Sequence, residues 1–275
     1  MVRKKKAIEC ENCHGDGYLV EKRGQYANAR VCNCVLRCSE CNSSGLIFAR
    51  NSAGYIHTKA CEMCGTVRRN VKLYNMAGIP AKFSHVLQVD AGFDPANNES
   101  QQRALKYAKE EFVMKYPSKR GFLLMGASGL GKTHLTVGTI SELTLKYGVR
   151  CMFQDFFGLL TELKKAYSLG TPEIEVLNPL IDAEILAIDE LGKGKSSDWE
   201  LNILDQLISK RYNASKTTLV TTNFISRRDH AKDQMFEDYE ILDLRVGKRI
   251  TSRLHEMCEF IHLKGDDRRR VRRNV

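Results

Sequence analysis

Two short stretches of the chain carry residue types suited to chemistry on a phosphate. The first is the run Gly126, Ala127, Ser128, Gly129, Leu130, Gly131, Lys132, Thr133, followed by His134; the second is Asp189-Glu190, closing the apolar run Ile185-Leu-Ala-Ile188. Glycines let backbone N–H groups turn inward around phosphate oxygens, and a helix that begins at the loop aims its positive end at the same anion. Lys132 then reaches the β and γ phosphates of a nucleoside triphosphate, and Thr133 offers its hydroxyl to Mg²⁺. Asp189 is expected to help hold that ion, Glu190 to polarise the attacking water, and Asn223 to hold the water near the γ phosphate. The expected chemistry is binding and hydrolysis of ATP, with residues 126–134 contacting the nucleotide.

These groups need a scaffold that brings distant loops together. From Gly121 onward apolar strands alternate with amphipathic helices, which predicts a mainly parallel sheet covered by helices on both faces. Strands are expected at 122–125, 150–154, 184–189, 217–222 and 259–263, and helices at 134–147 and 198–212, the latter burying Leu201, Leu204, Leu207 and Ile208. Ligands of such sheets gather at the carboxyl ends of the strands, where Lys132, Asp189 and Asn223 all fall. Ahead of the sheet, residues 76–120 read as a connector. Ile79-Pro80 forces extended backbone, Phe93-Asp94-Pro95 marks a turn, and 100–116 reads as a helix packing beside the nucleotide.

The first part of the chain is organised differently. Of ten cysteines, eight form close pairs, Cys10/Cys13, Cys32/Cys34, Cys38/Cys41 and Cys61/Cys64, while Cys151 and Cys258 stand alone. Each half of residues 1–75 reads as a knuckle, a hairpin and a second knuckle, a layout that suits four thiolates around one tetrahedral Zn²⁺. Two zinc ions are expected. Spacing leaves the pairing open between the sequential arrangement and a nested one joining Cys10/Cys13 to Cys61/Cys64. No apolar signal core lies between the opening Met-Val-Arg-Lys-Lys-Lys and Ile8, so thiol ligands in a cytoplasmic protein are expected rather than disulfides. No apolar stretch approaches the roughly 20 residues of a bilayer span, so no membrane partner is expected.

The formal net charge is +10, with basic residues concentrated in Arg3, Lys4, Lys5 and Lys6 and in Arg268, Arg269, Arg270, Arg272 and Arg273. A polyanionic partner follows from such ends, and Lys106, Lys109, Lys115, Lys119 and Arg120 offer a further basic face. A nucleic acid bound there would show strong salt dependence and little base preference. The organisation expected is a zinc-binding domain at 1–75, a linker and helix at 76–120 and an ATPase domain at 121–275.

Two resemblances sharpen this. Cys10-Glu-Asn-Cys13-His-Gly-Asp-Gly17 resembles the cysteine-rich repeat of DnaJ, although the later pairs depart from it and no His-Pro-Asp-bearing J-domain is found; it implies zinc-ribbon geometry only. The larger resemblance, over 79–270, is to AAA+ P-loop ATPases and more closely to the DnaC, DnaI and IstB group. It rests on GLGKTHL, Ile-Asp-Glu-Leu-Gly192, Ile208-Ser-Lys-Arg-Tyr212, Thr221-Thr-Asn223, Gly247-Lys-Arg-Ile-Thr-Ser-Arg-Leu254 and Gly265-x-x-x-Arg269. It implies that Arg253, or Arg249 one helical turn earlier, enters a neighbouring subunit's site, and that Arg269 senses the γ phosphate in its own subunit. Hydrolysis then depends on self-association through the ATPase domain. The group implies a replicative-helicase loader whose zinc module contacts the helicase and whose ATPase body binds single-stranded DNA. A transposition helper of the IstB kind shares the same blocks, and an ATP-gated adapter without turnover is the third reading, against which the presence of Glu190 argues.

Overall fold

Strands built from apolar residues and threonine, as in Gly121–Met125 and Thr217–Thr222, suit a place covered on both faces, and the sheet they join is parallel. The computed structural model describes residues 10–95, 98–117, 120–231 and 241–268. Its described residues divide into two units, one within 1–85 together with 143–149 and the other within 86–142 together with 150–275.

In the second unit, β5 (Gly121–Met125), β6 (Cys151–Asp155), β7 (Ile185–Asp189), β8 (Thr217–Thr222) and β9 (Cys258–His262) pair in the order β6-β7-β8-β5-β9, all parallel. Every residue of β5, β7 and β8 is buried, as expected where crossover helices cover both sides. The core joins Leu123, Leu186, Ile188 and Val220 of the sheet to Leu160, Leu204, Leu207 and Leu254 of the helices. The helix Asp198–Asn213 starts at a capping box in which Ser197 and Glu200 satisfy each other's backbone amides. The helix expected at 100–116 is α-helical over Glu99–Lys106 and widens to i→i+5 bonding over Tyr107–Val113. Gly138 explains one close approach: a Cβ there would lie 2.5 Å from the Gln88 carbonyl.

Arg211 is the largest wholly buried side chain of this unit. Among the described residues no carboxylate pairs with it; its guanidinium donates to the carbonyls of Leu180 (2.7 Å), Ile181 (3.0 Å) and Ala183 (2.9 Å), to that of Thr217, and to the Thr218 hydroxyl (3.0 Å). Burial pulls its pKa down to about 10. The arginine ties the end of one helix to the start of β8. Arg211→Met is expected to cost about 3–5 kcal/mol, because it strands several buried carbonyls at once; urea denaturation gives the value directly.

The first unit holds two hairpins, β1 (Tyr18–Arg23) with β2 (Tyr26–Val31) and β3 (Leu46–Arg50) with β4 (Ile56–Ala60), both antiparallel. The helix Gly65–Met76 follows. Its Asn75 amide accepts from the Ala29 N–H (2.7 Å) and donates to the Ala29 carbonyl (2.9 Å), satisfying the edge of β2 as another strand would. Apart from cysteine, the buried cluster between the hairpins contains Val35, with Val31, Ile47 and Val67 packed against it.

Candidate functional site

The chain leaves β5 through a loop that only glycine can follow. Gly126, Gly129 and Gly131 have φ of +128°, +84° and +90°, and a Cβ would lie 2.3 Å from the Leu263 carbonyl at Gly126 and 2.0 Å from the Asp267 carboxylate at Gly129. The helix Lys132–Glu142 starts here, so its first N–H groups face into the loop. Lys132 is 6% exposed. Its ammonium donates to the carbonyls of Gly126 (2.6 Å) and Ala127 (2.7 Å) and to Asn223 Oδ1 (2.9 Å). A triphosphate offers charged acceptors in place of neutral carbonyls, and charge-assisted bonds are the stronger. Lys132→Ala is expected to weaken ATP binding at least ~30-fold, from about 2 kcal/mol or more per truncated charge pair. A fluorescent-nucleotide titration checks this, and unchanged affinity would remove the nucleotide site.

Beside the lysine lies an oxygen-rich corner. Asp189 Oδ1 accepts from the hydroxyls of Thr133 (2.8 Å) and Thr221 (2.5 Å). Burial pushes its carboxyl above the usual range against those two hydrogen bonds, and the charges of Glu190 and Asp155 push the same way. A buried carboxylate touching a hydroxyl, under an excess of negative charge, fits a hard divalent cation such as Mg²⁺. Glu190 follows in left-handed backbone (φ +55°). Its N–H donates to Thr221 Oγ1 at 3.0 Å, and its carboxylate pairs with Lys193.

Lys132, Thr133, Asp189, Glu190 and Asn223 are therefore brought together at the ends of β5, β7 and β8. The His134 ring places Nε2 2.6 Å from the Ala91 carbonyl. Arg253 is held within its own chain, donating to Asp205 at 2.7 Å with its guanidinium near the Tyr212 ring and its side chain 19% exposed; Arg249, 3.7 Å from the same carboxylate, is 73% exposed. Arg269 and the basic residues 3–6 and 270–273 lie outside the described residues. Of the basic face, Lys109, Lys115 and Arg120 pair with Asp90, Glu111 and Glu259, Lys106 is exposed, and Lys119 is outside the described residues.

Three residues at the site were not read from the sequence. Thr221 bridges Asp189 and the Glu190 amide with one hydroxyl; the block Thr221-Thr-Asn223 marked its position but not this role. Arg268 donates its N–H to the Gly129 carbonyl (3.2 Å), and its guanidinium lies 4.2 Å from the centre of the Phe93 ring. One arginine of a terminal run and one aromatic in a turn gave no sign of this stacking.

The eight paired cysteines form two clusters, Cys10, Cys13, Cys32, Cys34 and Cys38, Cys41, Cys61, Cys64, the sulfurs of each lying within 4.8 Å of one another. Sulfur separations include 3.7 Å for Cys10–Cys32, 3.5 Å for Cys13–Cys34, 3.8 Å for Cys38–Cys61 and 3.5 Å for Cys41–Cys64. Four ligands at the ~2.3 Å Zn–S bond of a tetrahedral site sit about 3.8 Å apart. The grouping is the sequential one. The repeat extends to the second coordination layer: Gly17 N–H donates to Cys13 Sγ (3.3 Å) and Gly45 N–H to Cys41 Sγ (3.2 Å). Both clusters are compatible with zinc. No helix among the described residues is long and apolar enough to cross a membrane.

A family model described as IstB-like ATP binding protein matches residues 61–275. YqaM of Bacillus subtilis (strain 168), an uncharacterized protein, is 24% identical over 220 residues, covering 76% of this chain and 64% of YqaM, so this chain spans less than two thirds of that relative. The replicative helicase loader DnaC of Escherichia coli (strain K12) is 26% identical over 182 residues, 65% of this chain and 71% of DnaC. A crystal structure of the DnaC helicase loader aligns with a TM-score of 0.54 and 30% identity, covering 65% of this chain and 97% of that one. The parallel sheet with its helices is the AAA+ core.

Proposed function

The chain belongs to the family of IstB-like ATP-binding proteins, and from that premise we propose that it is an ATP-hydrolysing, DnaC/DnaI-like loader of a replicative helicase that acts in the cytoplasm. The observation that carries the reading is the convergence of Lys132, Thr133, Asp189, Glu190 and Asn223 at adjacent strand ends. When bound, ATP with Mg²⁺ supplies the phosphoryl group and the charge neutralisation that its transfer needs. The loop amides and Lys132 bind the phosphates, and Thr133 and Asp189 hold the metal. Glu190 takes the proton of the attacking water, and Asn223 orients that water.

An arginine of the helix Lys248–Met257, Arg253 or Arg249, completes the site of a neighbouring copy, with Arg269 reading the γ phosphate in cis. The two zinc clusters, within residues 1–75, contact the helicase, and the ATPase body engages single-stranded DNA. The test is ATP turnover against protein concentration with and without single-stranded DNA, beside capture of the host's replicative helicase by full-length chain. Turnover per chain is expected to rise with concentration and with DNA. Failure to associate with the helicase removes the loader reading. The resemblance to the IstB group supports a second reading, a DNA-binding ATPase that directs a transposase; a transposase gene directly upstream would reverse the order.

A further inference from the structure

The β3–β4 hairpin turns one face to its cysteine cluster and the other to solvent. On the first face Ile47 packs against the cluster. The register places Leu46, Phe48 and Arg50 on the opposite face, across from Ala60, Thr58 and Ile56. That outer face is apolar and uncovered: Phe48 is 82% exposed, Ile56 64% and Leu46 54%, with Tyr55 at the turn 73%. All of β4 is exposed. The tip is rigid, because Asn51 Oδ1 accepts from the N–H groups of Ala53 (3.0 Å) and Tyr55 (2.9 Å), and Asn51 N–H donates to the Tyr55 carbonyl (3.0 Å). Contiguous exposed apolar side chains on a preorganised element mark an interaction site, because little ordering entropy is lost on docking.

Charge narrows the occupant. Between Cys41 and Cys61 the chain has no carboxylate, while it carries Arg50, His57 and Lys59. A second copy would offer Arg50, the one cation on this face of the hairpin, no carboxylate to pair with. Single-stranded nucleic acid is disfavoured because the outer face carries a single cation, Arg50, to meet a phosphate backbone, while Lys59, on the other face, is paired with Glu62 at 2.9 Å. An aromatic anchor among aliphatic side chains with an arginine beside it is instead the make-up of a protein–protein contact. We propose that the outer face of β3–β4, anchored by Phe48 and Ile56, docks an apolar, carboxylate-rimmed surface of a partner protein. This rests on the loader reading, which makes the partner the replicative helicase.

The test uses the full chain and the host's purified helicase in a sedimentation or interferometry titration. Phe48→Ser with Ile56→Ser is expected to weaken association roughly 30-fold or more, the scale of a truncated anchor. Arg50→Glu is expected to weaken it several-fold, about as far as a rim charge reaches, and Phe48→Leu to retain most of it. Zinc content and ATP affinity should stay unchanged in all three, since these side chains face solvent. Full affinity in the double variant overturns the docking face while leaving the loader reading intact. No association by the unaltered chain overturns both. If the double variant instead loses binding to an oligothymidylate and keeps the helicase, the face belongs to nucleic acid and the proposal falls.

Discussion

Glu190→Gln is expected to slow ATP turnover roughly 10²–10⁴-fold, the usual contribution of a general base, while leaving ATP affinity within a few-fold of its starting value. The substitution keeps the shape of the side chain and removes its ability to take a proton. The backbone should not move, since the Glu190 N–H is held by Thr221 Oγ1 and the neighbouring Leu191 N–H donates to the Thr221 carbonyl at 2.8 Å. Single-turnover hydrolysis in assembled, DNA-bound samples, beside a nucleotide titration, separates the two quantities. Equal turnover in the glutamine variant would move the protein from motor to ATP-gated adapter, with the phosphate loop still binding nucleotide. Asp189 is different in kind: it shares its oxygen with Thr133 and Thr221, so its loss would affect metal and affinity together.

The second unit was legible because its signals are local and redundant. β5 and β7 are apolar runs and β8 sets threonines around Leu219-Val220, and Lys132 and Asp189 follow the ends of the two apolar runs. What was not legible depends on contacts that no period encodes. Arg211 sits in the block Ile208-Ser-Lys-Arg-Tyr212 and looks like an ordinary helix cation. Only the convergence of the 180–183 carbonyls and β8 on that spot makes it a buried tie. Arg253 and Arg249 fall one turn apart on a readable helix, but Asp205, which engages both, lies on another helix, so spacing could not separate a restrained guanidinium from an exposed one. The widening of the helix over Tyr107–Val113 has no proline or glycine to announce it. In the first unit spacing named the eight ligands but not their grouping. The grouping follows from hairpin register: Tyr18 opposite Val31 returns the chain to Cys32 beside Cys10 and Cys13, and Leu46 opposite Ala60 brings Cys61 back to Cys38 and Cys41.

That register makes removal of metal the other large effect. The buried cluster around Cys41, Cys61 and Cys64 has little besides Val35 to hold it, far less than a hydrophobic core needs at this size. Structural zinc contributes on the order of 10 kcal/mol to folding in comparable small modules, so the hairpins should persist only while the thiolates are bridged. The intact chain is expected to carry two zinc equivalents in native mass spectrometry, and a strong chelator should abolish amide protection in β3 and β4. Cys41→Ser discriminates further. It should release one equivalent and expose Leu46–Arg50 and Ile56–Ala60 to exchange, while β1 and β2 stay protected by Cys10, Cys13, Cys32 and Cys34 and by the Asn75 amide on Ala29. Loss of both equivalents from that single substitution would mean that the two halves share one metal centre. Full protection after chelation would mean that the sulfurs meet for packing alone.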